Sequence, residues 1–309
     1  MKKIVSIFRR ILLGDKFKHQ YTCNPNFNIK RLENECEVLW KNKTIGKIKF
    51  AHTLQNKFRG NLFTIATGPS IVDFNLNTIS PYQTISLNCA IKKFTAQKIK
   101  PTHCIIVDRR IFENEWDSVE ASIMSGANCF FSFVGLSVIC ERKPELLKLG
   151  NIYLIESISR KFGIPRLNVD ECKKLYKEDQ DLRLDKNLVE LCRSIGFSYS
   201  LKKGLFSGKT VATWATQLSL CLGYKNNFIV GMDLGGTGKK HFYATENNGT
   251  PDFIKDYEPH IRACFELTRD AYLEKNIGLY NLSEKSRLPD SIIKKITIEQ
   301  ALQIAHNSH

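Results

Sequence analysis

GLFSGKTVATWATQLSLCLGYKNNFIVGMDLG, residues 204–235, sets the reading of the whole chain. It divides into a polar turn, a helix, a buried strand and a second polar turn. Val211, Trp214, Ala215, Leu218 and Leu222 recur at three- and four-residue spacing, which predicts a helix closed by Gly223. Phe228-Ile229-Val230 predicts a short strand that runs out at Gly231-Met232-Asp233. Open α/β sheets bind ligands outside the carboxyl ends of their strands, so Asp233 is a candidate ligand residue.

Outward from this unit the same rhythm repeats. Strands are expected at Phe63–Ala66, Thr84–Leu87, His103–Val107, Cys129–Phe133, Ile152–Ile155 and Leu279–Leu282. Helices are expected over 114–124, 260–275 and 298–305. The alternation predicts an α/β fold, Rossmann-like, with a mostly parallel sheet covered by helices on both faces. Residues 61–309 would form this domain, and 20–60 an extension with a hairpin around Asn42-Lys43. Residues 157–203 break the rhythm and are rich in charge, as expected of a small lid insertion.

The chain has 309 residues and a net charge of +15. Such a balance implies an anionic partner. No helix-turn-helix, zinc-finger or RNP motif speaks for nucleic acid, so an acidic membrane face or a phosphorylated substrate gains weight. Residues 1–19 are basic, with Ile4, Phe8, Ile11 and Leu12 on one helical face. They read either as a segment lying on an anionic bilayer or as a packed terminal helix. The ten cysteines form no CxxC pair and most sit in apolar runs, which is core usage. No HExxH motif or Cys/His cluster appears, so no catalytic metal or cofactor is expected.

Several polar groups fall at the same predicted sheet edge. They are Thr67-Gly68-Pro69-Ser70, Asn88 and Asp108, together with Asp233. If Ser70 opens a helix, the amides there could meet a phosphate. Ser207-Gly208-Lys209-Thr210 resembles a phosphate loop but has three residues between its glycines where the Walker pattern has four. It remains a candidate anion site at a helix start. His260 follows Tyr257-Glu258-Pro259 and is either a general base or a capping histidine. Tyr243 and Tyr257 could donate to a phosphate, and His241 is a further candidate.

Gly68-Pro69-Ser70, Asn88, Ser207-Gly208, Leu222-Gly223-Tyr224, Gly231-Met232-Asp233 and Tyr257-Glu258-Pro259-His260 together resemble the family-42 bacterial sialyltransferases. Lys100-Pro101, Asp108-Arg109, Gly231-Met232-Asp233-Leu234, Phe242-Tyr243 and Tyr280-Asn281-Leu282-Ser283 resemble the lipopolysaccharide-core Kdo transferases of the RfaZ type, over about residues 62–305. The first resemblance implies a GT-A-like sialyltransferase variant of the fold, with the histidine of Tyr-x-x-His as base and the tyrosine on phosphate. Both imply a CMP-activated ulosonic acid donor. Thr67 stands where the sialyltransferases carry Asn, and Gly235-Gly236 where they carry Tyr, which tilts the donor towards Kdo.

The resulting expectation is an inverting, metal-independent glycosyltransferase on the cytoplasmic face of the inner membrane. It would transfer Kdo from CMP-Kdo to a lipopolysaccharide or lipooligosaccharide core. CMP would lie at Thr67, Gly68, Pro69, Ser70, Asn88 and Asp233, and Asp108 would also bind substrate. Ser207 and Gly208 would hold the sugar carboxylate, His260 the acceptor proton, and Tyr243 and Tyr257 the leaving phosphate. The alternatives are a sialyltransferase using CMP-sialic acid, and a non-catalytic protein that binds an anionic glycolipid.

Overall fold

A computed structural model describes residues 14–177, 179–184, 194–235, 242 and 253–308. Its main sheet has eleven strands. They are β1 (Phe27–Arg31), β2 (Glu35–Trp40), β3 (Lys43–Phe50), β4 (Asn61–Ile65), β5 (Gln83–Leu87), β6 (His103–Ile106), β7 (Asn128–Phe131), β8 (Asn151–Leu154), β11 (Asn226–Val230), β12 (Gly278–Asn281) and β13 (Lys294–Lys295). β9 (Leu182–Arg183) and β10 (Phe197–Ser198) form a separate two-stranded ribbon. The order in the main sheet is β1-β2-β3-β8-β7-β6-β5-β4-β11-β12-β13. All pairs from β3 to β13 are parallel, and β1 and β2 add antiparallel to that edge.

The parallel strands are short apolar runs because both of their faces are buried. Phe63, Ile65, Cys104, Ile106, Cys129, Phe131, Ile152 and Leu154 pack into one core. Leu62, Ile105, Phe130 and Tyr153, their neighbours in sequence, pack into the other. This is the period-two alternation of a strand, with helices over each face. Helices α1 (Ile91–Ala96), α2 (Arg109–Asn114), α3 (Trp116–Met124), α4 (Phe133–Arg142) and α8 (Ile298–Asn307) supply the first core. Helices α6 (Val211–Leu222) and α7 (Ala263–Glu274) supply the second.

α6 is buried along almost its whole length, from Ala212 to Leu222. Thr210 caps its start, and Gly223 ends it with φ of 104°. A Cβ on Gly223 would stand 2.7 Å from the carbonyl of Phe58, so that turn requires glycine on both grounds. Leu218 and Leu222 are fully buried, each contributing about 1.5–3 kcal/mol of apolar burial.

The hairpin around Asn42 is present, and Lys41 and Asn42 both take positive φ, the signature of a two-residue type I′ turn. The structure adds what the hairpin is for. Lys49 and Phe50 of β3 pair with Tyr153 and Leu154 of β8, so the 20–60 segment extends the sheet. Residues 157–203 hold α5 (Val169–Tyr176) and the β9–β10 ribbon, and Ile158, Cys172 and Tyr176 form a small core with Phe206. Of the basic N-terminal stretch, residues 1–13 lie outside the described residues. Asp15–Gln20 is a 3-10 turn packed on the insertion, where the Arg166 amide donates to the Lys16 carbonyl at 2.7 Å. The nine described cysteines are buried, in keeping with core usage.

From β4 the chain steps through β5, β6, β7 and β8 to one side. From β11 it steps through β12 and β13 to the other. The switch of direction therefore lies between β4 and β11, where an open parallel sheet leaves a crevice at its carboxyl edge.

Candidate active site

At the β4–β11 switch the two strand ends stay hydrogen-bonded beyond the strands themselves. Ala66 donates to Val230 and Gly68 to Gly231, each at 2.8 Å. This close approach brings Gly68 against Asp233. A Cβ on Gly68 would overlap Asp233 Oδ2 and stand 2.5 Å from the Gly231 carbonyl. The Ser70 amide donates to Asp233 Oδ2 at 2.9 Å, and Ser70 Oγ meets Ser283 Oγ at 3.1 Å. Ser283 Oγ also accepts from the Met232 amide. The amide expected to face a phosphate is thus taken by Asp233. Asp233 is 1% exposed, and its Oδ1 has no hydrogen-bond partner among the described residues. Thr67 is buried beside it, its carbonyl accepting from Phe242.

A cleft of about 520 Å³ opens at the carboxyl ends of β5 to β8. Asn88, Asp108, Ser207 and His260 all line it, with Ser132, Glu156, Ser157, Lys209 and Trp214. Asn88 follows β5 directly and holds φ of 49°. That conformation is uncommon for a residue with a side chain, and such residues gather at functional sites. Its Oδ1 is buried without a hydrogen-bond partner among the described residues. Asp108 follows β6 and caps α2, accepting from the Arg110 amide at 2.9 Å while pairing with the Arg110 guanidinium at 2.6 Å. Ser132 does the same for α4, accepting from Gly135.

His260 sits in a π-helical turn, Tyr257–Arg262, that leads into α7. Pro259 has no N–H to give to the ordinary helical ladder, which accounts for a wider turn at this point. Nδ1 of His260 lies 3.6 Å from Asp256 Oδ1, and Lys209 Nζ lies 3.8 Å from the same oxygen. Burial and the Lys209 ammonium lower the His260 pKa, against an opposing pull from Asp256. The ring is therefore held neutral near pH 7 with a carboxylate beside one nitrogen. At 3.6 Å the carboxylate acts on the ring through its charge, and Nδ1 has no hydrogen-bond partner among the described residues. A neutral imidazole can take a proton.

Several expected residues are placed differently. Thr67, Gly68, Pro69, Ser70 and Asp233 sit at the β4–β11 switch and are not among the residues that line the cleft. Gly208 donates its amide to the Ser194 carbonyl at 2.9 Å, and the helix starts only at Val211, after Lys209 at φ of 62°. The Ser207-Gly208 turn therefore offers the cleft the Ser207 side and not a row of free helix amides. Tyr257 is 2% exposed, and its hydroxyl donates to the Arg287 carbonyl at 2.8 Å. The Arg287 guanidinium covers its ring at 3.9 Å. Its hydroxyl is engaged inside the fold and does not point at a ligand. Tyr243 and His241 lie outside the described residues.

Asp256 and Lys209 were not read from the sequence as site residues. Asp256 carries a usable signal, since D-x-x-x-H places both side chains on one helical face. Glu156 after β8, Arg160 and Arg166 in the 157–203 segment, and His19 in the N-terminal turn also line the cleft, and carry no motif.

Residues 44–299 match the family described as 3-deoxy-D-manno-octulosonic acid transferase WaaZ. The chain belongs to this WaaZ family. The match covers all of β4 to β13, and so every strand end that borders the cleft. No curated protein matches the chain. Among solved structures the MAf glycosyltransferase from Magnetospirillum magneticum AMB-1 is similar, at 13% identity and a TM-score of 0.42. The likeness covers 81% of this chain and 37% of that one, so the chain spans little more than a third of that protein. Among the described residues no helix is long and apolar enough to cross a membrane.

Proposed function

We propose that this WaaZ-family chain is an inverting glycosyltransferase that moves Kdo from CMP-Kdo to a hydroxyl of a lipopolysaccharide or lipooligosaccharide core. The observation that carries the reading is the meeting of Asn88, Asp108, Ser207 and the Asp256–His260 pair around one cleft. In this reading His260, neutral and with the Asp256 carboxylate 3.6 Å from Nδ1, takes the proton of the acceptor hydroxyl as it attacks the anomeric carbon. Lys209 stands beside it as the cation for the departing CMP phosphate, with Ser207 as a hydroxyl donor. Asn88 Oδ1, buried and without a hydrogen-bond partner among the described residues, supplies an acceptor for a donor on the nucleoside or sugar. The acceptor is a membrane lipid, which fits the net positive charge and a site at the cytoplasmic face of the inner membrane.

Calorimetric titration with CMP alone separates this reading from that of a glycolipid-binding protein. A transferase needs a nucleotide pocket and binds CMP. Binding of lipooligosaccharide without binding of CMP contradicts the proposal.

A further inference from the structure

Four neighbouring parallel strands each deliver a polar residue to the cleft just past their carboxyl ends. They are Asn88 after β5, Asp108 after β6, Ser132 after β7 and Glu156 after β8. These side chains are not equally engaged. Both oxygens of Asp108 are taken by Arg110, through its amide and its guanidinium. Ser132 Oγ donates to the Val107 carbonyl at 3.0 Å and accepts from the Gly135 amide. Glu156 is 8% exposed, and both hydrogen bonds of its carboxylate among the described residues fall on Oε1. One comes from Arg31 at 2.6 Å and the other from the Phe162 amide at 2.9 Å. Oε2 takes neither, and it is not sealed from solvent. Glu156 lines the cleft, and there a ligand can meet that oxygen.

The rest of the residue is pinned. Ile155 continues the β7–β8 ladder by donating to the Phe131 carbonyl at 3.0 Å. The Glu156 carbonyl accepts from the Leu205 amide at 3.0 Å, and the Ile158 amide donates to the Leu205 carbonyl at 3.0 Å. Arg31, at the end of β1, is held in turn by the Phe162 carbonyl, at 3.1 Å through Nε and 3.0 Å through a terminal nitrogen. The N-terminal extension thus reaches the wall of the cleft through this one guanidinium. A carboxylate fixed through one oxygen presents the other at a set point. That oxygen is an acceptor, and the matching donors on a sugar are its hydroxyl groups.

We propose that Glu156 is a specificity-determining residue, whose Oε2 accepts hydrogen bonds from the hydroxyl groups of a polyhydroxylated sugar, and that Arg31 is its positioning residue. The ligand class is a neutral diol, in contrast to the phosphate assigned to Lys209. This rests on the transferase reading only for the source of the diol, which is the ribose of CMP, the ulosonic acid or the acceptor sugar.

The test compares wild type with Glu156→Gln, which keeps the shape and loses the charge. CMP and the lipooligosaccharide core are titrated calorimetrically, and KM and kcat are measured for CMP-Kdo. Sugar binding is expected to weaken about tenfold. A loss shared by CMP and CMP-Kdo assigns the ribose, a loss for CMP-Kdo alone the ulosonic acid, and a loss for the core alone the acceptor sugar. Glu156→Asp, which keeps the charge at a shorter reach, is expected to fall between the two proteins and guards against a folding defect. Wild-type constants for every probe, or an equal loss for all three, overturn the assignment. Arg31→Gln is expected to weaken the same constant with a smaller change in kcat, and Arg31→Lys to recover part of it. Wild-type constants in Arg31→Gln overturn the positioning role. If wild type neither binds CMP nor turns over a donor, the transferase reading fails while the core titration still decides Glu156.

Discussion

The Ser70 amide and the Asp233 carboxylate are joined at 2.9 Å across the β4–β11 switch point, and Gly68 lies between their strands with no room for a side chain. One oxygen of a buried acid thus holds the turn after β4, while the other has no hydrogen-bond partner among the described residues. The acid that ends the 204–235 stretch is part of the frame of the crevice.

Gly68→Ala is expected to be costly for that reason. Its methyl must displace Asp233 or separate β4 from β11, and overpacking of this kind costs about 1–3 kcal/mol. A denaturant titration should show a lower midpoint with an unchanged slope. A midpoint equal to wild type would mean that the two strand ends part easily.

The environment of His260 makes a signed prediction about pH. A general base works only when neutral, so transfer falls as pH drops through its pKa. Burial and Lys209 hold that pKa below the ordinary imidazole range, and Asp256 raises it. Lys209→Met should move the acid limb of kcat/KM to higher pH, and Asp256→Asn should move it to lower pH. Profiles that coincide with wild type would remove His260 as the titrating base.

A second histidine shapes stability and not catalysis. His103 is fully buried at the start of β6, and Nε2 meets the Tyr224 hydroxyl at 2.7 Å. That hydroxyl donates to Gln83 at 2.6 Å, so it accepts from His103, and the neutral ring is satisfied. Burial pushes the His103 pKa down to about 3 from 6.5. The unfolded chain takes up this proton near pH 6.5, whereas the folded chain does not until about pH 3. This contribution is therefore fully present above pH 6.5 and is lost as pH falls through the window, at up to about 1.4 kcal/mol per pH unit. His103→Gln should flatten the acid limb of a stability–pH curve, whatever its effect at pH 7. An unchanged slope would contradict the assignment.

The parallel strands were legible because burial on both faces leaves each as an apolar run such as Phe228-Ile229-Val230. The polar residues just beyond them, Asn88, Asp108 and Asp233, were legible for the same reason, since a parallel sheet puts those ends together. The pairing of β3 with β8 was not. It joins Phe50 to Leu154 across about a hundred residues, and neither strand encodes its neighbour. Ser207-Gly208 misled because Lys209 takes a left-handed conformation and delays the helix to Val211. Tyr257 misled because a short motif does not say which way a phenol turns. The approach of His19, Arg160 and Arg166 to the cleft comes from packing between the N-terminal turn and residues 157–203, which no local pattern records.

The most direct test of the central claim is release of CMP from CMP-Kdo and from CMP-sialic acid, in the presence of a lipooligosaccharide core, by wild type and by His260→Ala. The account predicts acceptor-dependent release from CMP-Kdo by wild type, and a loss of about a hundredfold or more in the variant. Release from CMP-sialic acid alone would reassign the donor. Wild-type rates in His260→Ala, or no release from either donor by the native protein, would contradict the account.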